Sequence, residues 1–308
     1  MPLTLEEETK LKKRAASLSV VSNSALIVMK LIAGAITGSF SIISEAIHSL
    51  SDLLASIIAF FAVKKASMPA DKDHDFGHGK YEDFSGLIEG ILIIGAAIYI
   101  VYESVDKIIM NHHSEISVNA AIYVMFFSVI VNIFVSAHLF KVAKRTGSVA
   151  IFADAEHLRT DVYTSVGVML GLVLIKYTGL HLLDPLIAMF VAVLILQAGL
   201  SICRKTVANL LDTSLSAKEE DEIKNAVYGL NTDTKFSIKE IKTRRSGARV
   251  NIEMTICVNG NTTVSESHNF CNKVENILSE KIGNTDTVIH IEPSTDSVEQ
   301  AKQVKSAG

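Results

Sequence analysis

The sequence is poor in cysteine. Its three, Cys203, Cys257 and Cys271, are widely spaced and form no CxxC or zinc-knuckle pattern, so they read as reduced, structural side chains. A charge excess is also missing: 29 basic residues stand against 33 acidic ones for a net charge of −4, which offers nucleic acid no basic surface. No small-residue cleavage site follows the first apolar block, so that block is expected to stay in the protein as a helix rather than be removed as a signal. A short-period repeat is absent as well.

What the sequence has is apolar length. Of its 308 residues 49% are hydrophobic, and they come in blocks of membrane-spanning size, the signature of an integral membrane protein. Six blocks, each near the ~20 residues a helix needs to cross ~30 Å of hydrocarbon, run from about Ser17 to Thr37, Phe40 to Val63, Leu87 to Ile108, Ala120 to Phe140, Val149 to Tyr177 and Leu182 to Val207. The basic residues between them fall on one side: Lys10, Lys12, Lys13 and Arg14, then Lys64, Lys65, Lys72 and Lys80, then Lys141, Lys144 and Arg145, then Arg204 and Lys205. The other side has little beyond Lys107 and Lys176, which predicts cytoplasmic N- and C-termini.

After Asp212 the composition becomes that of a small soluble domain. "SAKEEDEIKNAVYGL" reads as an amphipathic helix, "FSIKEIKT" and "RVNIEMTICV" alternate like strands, "SESHNFCNKVENILSEKI" is helical, and "DTVIHIE" is a third strand. The predicted architecture is a six-helix transmembrane domain over 1–212, an αββαβ domain over 213–296 with its helices on one face, and a polar, disordered tail over 297–308, its polar character setting in at Pro293.

Two of the oily helices carry ionisable groups. On the second, in "SEAIHSLSD", His48 and Asp52 are four residues apart on one helix face, with Glu45 one turn before His48. The fifth repeats the pattern in "ADAEHLRTD", where His157 and Asp161 are four apart and Asp154 lies one turn before. Counted at ~1.5 Å per residue along opposite helix directions, both pairs come out at mid-bilayer and can meet. Each ionisable group at that depth costs at least ~2.5 kcal/mol on insertion scales, so four in one plane need a partner or a wet cavity. A divalent cation supplies one: two imidazoles and two carboxylates make an N2O2 shell that suits tetrahedral Zn(II) and is neutral when loaded. Interhelical hydrogen bonding is the structural alternative, but glue has no need of the same spacing twice.

The loop "PADKDHDFGHGKYE" holds Asp71, His74 and His78, with Asp73 and Asp75 interleaved and glycines that allow tight turning. Composition alone fits a solvated acidic loop with surface histidines as well as it fits a metal site.

With these motifs in place, the chain resembles the cation diffusion facilitator family, proton-coupled exporters of divalent metal. The resemblance spans nearly the whole chain and rests on six helices, "HSLSD", "HLRTD", the loop and the C-terminal domain, which looks like a metallochaperone. It implies that His48, Asp52, His157 and Asp161 form the transport site, that Asp71, His74 and His78 form a second metal site, and that the protein is a homodimer joined through its cytoplasmic domains in the cell (inner) membrane. The mixed His/Asp set is similar to that of the zinc-transporting branch, whose relatives also carry cadmium, iron or cobalt. Glu45, Asp154 and Glu156 are the expected supporting or proton-carrying groups. A Lys80–Asp212 charge pair is implied near the dimer contact. In the cytoplasmic domain, His268, His290 and Glu292 match positions where relatives bind metal between protomers, with Glu253 as a fourth candidate. Lys239 stands where some relatives have histidine, and an ammonium cannot ligate, so metal binding there is expected to be weak or regulatory.

Metal binding requires neutral imidazole and ionised carboxylate, so protons and metal compete for the same atoms. The expected activity is therefore export of divalent metal, Zn(II) first, in exchange for protons by alternating access across the bilayer. A metal sensor without flux is the other class the residues allow. A metalloenzyme would need an open coordination position that four protein ligands do not leave.

Overall fold

The computed structural model describes residues 5–37, 40–110, 118–178, 183–230 and 235–294, with side chains described at these positions except 5, 34, 37, 40–48, 51, 107, 110, 118–125, 168–169, 171–178 and 183–184. The disordered tail expected over 297–308 lies outside them. Two compact units are present, one over Glu6–Leu210 and one that holds the chain from Leu211 onward.

Six long helices make the first unit: α1 (Leu5–Thr37), α2 (Phe40–Ala66), α3 (Lys80–Met110), α4 (Val118–Thr146), α5 (Val149–Thr178) and α6 (Leu183–Leu210). Among the described residues, α1, α3, α4 and α6 each contain a stretch long and apolar enough to cross a membrane. The other two, 27 and 30 residues long, are the helices that carry the polar constellation. Hydropathy places the first span from Ser17, whereas the helix itself begins at Leu5. The lead-in stays helical because Glu8 and Lys12, one turn apart, pair at 2.6 Å.

The fifth helix is central. Ala150, Ile151, Ala153, Ala155 and Leu158 are all fully buried, Ile151 and Leu158 in a cluster with Leu139 and Ala143 of α4, Ala153 in a second with Ile93 of α3 and Ile195 and Ile202 of α6. A helix enclosed by neighbours keeps its ionisable groups away from lipid. Between α3 and α6 the backbones approach closely through glycine. A Cβ at Gly90 would stand 2.7 Å from Cys203 Sγ, and one at Gly199 would stand 2.8 Å from Ile94 Cγ1.

Polar contacts tie the bundle at the end where α1, α3 and α5 start. Lys12 Nζ reaches Glu82 at 3.3 Å, the Ser148 hydroxyl donates to the other Glu82 oxygen at 2.5 Å, and Asn209 donates to Asp83 at 2.7 Å. All five of these residues are buried. Each buried polar group there has a partner, which is the condition for keeping it at low cost.

The second unit contains α7 (Ala217–Tyr228), β1 (Phe236–Ser246), β2 (Arg249–Val258), α8 (Val264–Ile282) and β3 (Thr285–Pro293). The sheet order is β1-β2-β3, with β1 and β2 antiparallel and β2 and β3 parallel. The hairpin turns at Gly247, whose φ of 59° suits glycine. Both helices start with a capping box, Ser216 with Glu219 and Thr263 with Glu266. Alternation decides the faces: Val250, Ile252, Met254 and Ile256 pack with Ile223 of α7 and with Phe270, Val274 and Leu278 of α8. Asn251, Glu253, Thr255 and Cys257 occupy the other side of the sheet. The third strand runs through Pro293, where the sequence suggested that the tail begins.

Candidate metal sites

The transmembrane site forms where α2 meets α5. His157 Nε2 lies 3.1 Å from Asp52 Oδ1, and one ligand atom each from Asp52, His157 and Asp161 lie within 4.8 Å of one another. Asp52 and His157 are buried and Asp161 is half-buried. One imidazole and two carboxylates from two helices thus face a common point, the donor set for a small divalent cation with bonds near ~2.0–2.2 Å. His48 lies one turn from Asp52 on α2 and Glu45 one turn before His48, and the side chains of both fall outside the described residues.

Behind the ligands is a hydrogen-bonded cluster that sequence reading missed. Ser56 Oγ lies 3.0 Å from the Asp52 carbonyl and 3.3 Å from Asp154 Oδ1, accepts from Asn23 Nδ2 at 2.6 Å, and contacts the Ser19 hydroxyl at 3.0 Å. Ser19 and Asn23 come from α1, so three helices are joined behind the site. Asp154 is fully buried in this cluster, and its Oδ2 has no hydrogen-bond partner. Glu156 lies one position before His157 and so about 100° around the helix. Its carboxylate pairs with Arg159 at 2.5 Å, and the Arg159 guanidinium stands over the Phe140 ring at 5.0 Å. A second missed residue is Glu89 on α3. It is fully buried, accepts from Ser85 at 3.4 Å through Oε1, and its Oε2 has no partner. The available signal was an ionisable residue inside an apolar span.

The loop brings Asp71, His74 and His78 together, again with ligand atoms within 4.8 Å of one another. His74 Nδ1 and His78 Nε2 lie 3.1 and 3.3 Å from the two oxygens of Asp71, and the two rings are tilted by 36° with centroids 4.3 Å apart. His78 is buried, and neither of its ring nitrogens makes a hydrogen bond, although Nε2 is so near the carboxylate. A buried imidazole with both nitrogens unbonded beside a carboxylate and a second imidazole suits a shared cation. The turn itself is held by reciprocal backbone bonds between Asp71 and His74 and by Gly77 at φ 76°. Desolvation pushes the Asp71 carboxyl upward, but hydrogen bonds from the His74 side chain and from the Asp73 and His74 amides, with the nearby His78, together hold it below its usual range.

In the second unit the candidates are dispersed. His290 Nε2 lies 3.7 Å from Glu292 Oε1, and both stand on the open face of the sheet, where Glu253 also lies on the adjacent strand. Lys239 Nζ holds Glu292 at 2.6 Å. That hydrogen bond raises the Lys239 ammonium above and pulls the Glu292 carboxyl below their ordinary values. His268 is exposed at the start of α8, a helix that packs on the opposite face of the sheet. Among the described residues these four do not gather into a three-ligand group. As for the expected end-lock, Lys80 Nζ donates to the Leu210 carbonyl at 3.4 Å, and Asp212 meets Arg244 at 3.3 Å.

Comparison with known proteins gives the arrangement a context. Residues 16–211 match the model of a cation efflux transmembrane domain, and residues 215–294 match that of a cation efflux protein cytoplasmic domain. An uncharacterized transporter of Synechocystis sp. is 35% identical over 93% of this chain and 92% of its own length. One of Methanocaldococcus jannaschii is 32% identical over 85% and 91%, and the cation-efflux pump FieF of Salmonella newport is 29% identical over 92% and 93%.

Proposed function

This chain belongs to the cation efflux family, and from that premise we propose that it exports divalent metal cations, Zn(II) first among them, from the cytoplasm in exchange for protons. The family is one of transporters, and transport of divalent metal cations follows from membership. The observation that carries the finer reading is the convergence of Asp52, His157 and Asp161 between α2 and α5, with His48 one turn away. Together they supply the N2O2 set that suits Zn(II), while an all-oxygen set would favour Mn(II). The donors that hold the metal also bind protons, so a site facing a neutral cytoplasm loads metal and the same site facing an acidic exterior exchanges it. Alternation of α2 and α5 against the remaining helices presents the site to each side in turn.

The loop triad serves as an accessory site. The protein works as a homodimer in the cell (inner) membrane, joined through its C-terminal domains with both termini cytoplasmic and the Lys80–Asp212 pair locking helix ends. His268, His290, Glu292 and Glu253 act in regulation rather than transport, each protomer contributing a part.

Reconstituted protein tests the function. Under an imposed pH gradient, Zn(II) accumulates in proteoliposomes and exceeds Mn, Fe, Co and Cd, and collapse of the gradient stops it. Bound metal without flux would make the protein a sensor, and a different ranking would reassign the metal.

A further inference from the structure

Glu89 and Asp154 are both fully buried, on α3 and α5, and each has one carboxylate oxygen with no hydrogen-bond partner. Glu89 interacts electrostatically with Asp154 and with His157, and the polar neighbour on its own helix is Ser85. The other groups about this pair are Asp52 on α2 beside His157, Asp161 on α5, Ser19 and Asn23 on α1 through Ser56, and Cys203 of α6 against Gly90. Nearby charge is thus dominated by carboxylates, with His157 as the cation when protonated. Two buried carboxyl groups near one another in an apolar bundle cannot both remain ionised without a cation. Glu89 stands apart from the ligand set, since its hydrogen bond goes to Ser85 and none goes to Asp52, His157 or Asp161.

We propose that Glu89 carries a proton that moves opposite to the metal. The proposal rests on the antiport reading above. With the transport site empty, burial and the neighbouring charge of Asp154 favour the neutral carboxyl at Glu89. When a divalent cation enters, its charge reverses that preference: the O–H bond of Glu89 breaks, the proton leaves to water on the side the site faces, and the carboxylate remains. Loss of the metal on the other side lets a proton from that side restore the O–H bond. Asp154, which accepts a hydrogen bond from Ser56, is the more readily ionised of the two carboxyls and couples to Glu89 by charge. Glu89 then adds to the protons exchanged at the donors themselves one proton carried by a residue that is not a metal donor, coupled to the site by charge rather than by competition at one atom.

The test is a count of protons released per zinc bound, by titration calorimetry of the full-length protein in nanodiscs in buffers of different ionisation enthalpy. Wild type releases protons on loading, and Glu89→Gln releases about one fewer while still binding zinc; Glu89→Asp, which keeps a titrating carboxyl, restores the wild-type count. In proteoliposomes at a pH difference of one unit, loss of one coupled proton lowers the limiting zinc accumulation by about tenfold. An unchanged count in Glu89→Gln overturns the proposal. So does loss of zinc binding in that variant, which would make Glu89 a ligand, or a Glu89→Asp count as low as that of Gln, which would trace the effect to packing. Wild-type zinc binding with no proton release at all would instead refute the antiport reading on which the proposal stands.

Discussion

The transmembrane site and the open face of the cytoplasmic sheet hold the same residue types in opposite circumstances. Between α2 and α5, Asp52 and His157 are buried, their ligand atoms converge with one from Asp161, and His157 Nδ1 has no hydrogen-bond partner. On the sheet, His290 is exposed and Glu292 is already held by Lys239 at 2.6 Å. Burial of groups whose needs the protein leaves unmet calls for a cation, whereas exposed groups with a partner are content in water. Histidine and acid at close spacing are therefore a weak signal, and their depth and unmet bonding decide.

The strongest way to break this contrast is to remove one buried donor. Asp52→Ala or Asp161→Ala abolishes zinc flux in vesicles while the protein still folds and assembles; flux near the wild-type level in either variant would remove the site. A smaller effect comes from the supporting cluster. Ser56→Ala takes away the hydroxyl shared among Asp52, Asp154, Asn23 and Ser19, and equilibrium zinc binding weakens by about 10- to 100-fold, the usual scale for groups that orient ligands.

Sequence reading named His48, Asp52, His157 and Asp161 as candidate ligands because each helix repeats HxxxD, and a helix turn places both members on one face. It found the αββαβ order because strand alternation and helix amphipathicity are local. The cluster at Ser56 was not legible, since it joins α1, α2 and α5 and no spacing within one helix encodes it. Glu89 was legible and overlooked, a lone acid in "LIEGILIIG" masked by the apolar run around it. Glu156 was read as a neighbour of the ligands from its place in the chain, but the side chain is engaged with Arg159, whose guanidinium stands over Phe140 of α4. On the sheet, Lys239, which holds Glu292, sits at an irregularity in register between Ile238 and Glu240, which residue patterns do not announce.

Two gentler perturbations sharpen the contrast from the exposed side. Lys239→Ala frees Glu292 and strengthens zinc binding at the sheet by about fivefold or less, the scale of an exposed ion pair. Because the Glu292 carboxyl is held low by that pair, the contact persists near neutral pH and is lost as pH falls through the depressed value, so the benefit of the substitution shrinks with acidification. Competition binding at two pH values reads both effects. The smallest change is Thr263→Ala, which removes the cap of α8 and costs about 1 kcal/mol. Hydrogen exchange in the first turn of that helix quickens by about fivefold while transport is unaltered.

The central claim is that a divalent cation is held between α2 and α5 by Asp52, His157 and Asp161. The most direct test is zinc X-ray absorption on a background in which Asp71, His74, His78, His268, His290 and Glu292 are all replaced by alanine. The account predicts one bound zinc with a mixed nitrogen and oxygen shell, lost when Asp161→Ala is added. Zinc retained with an unchanged shell after that substitution would contradict it.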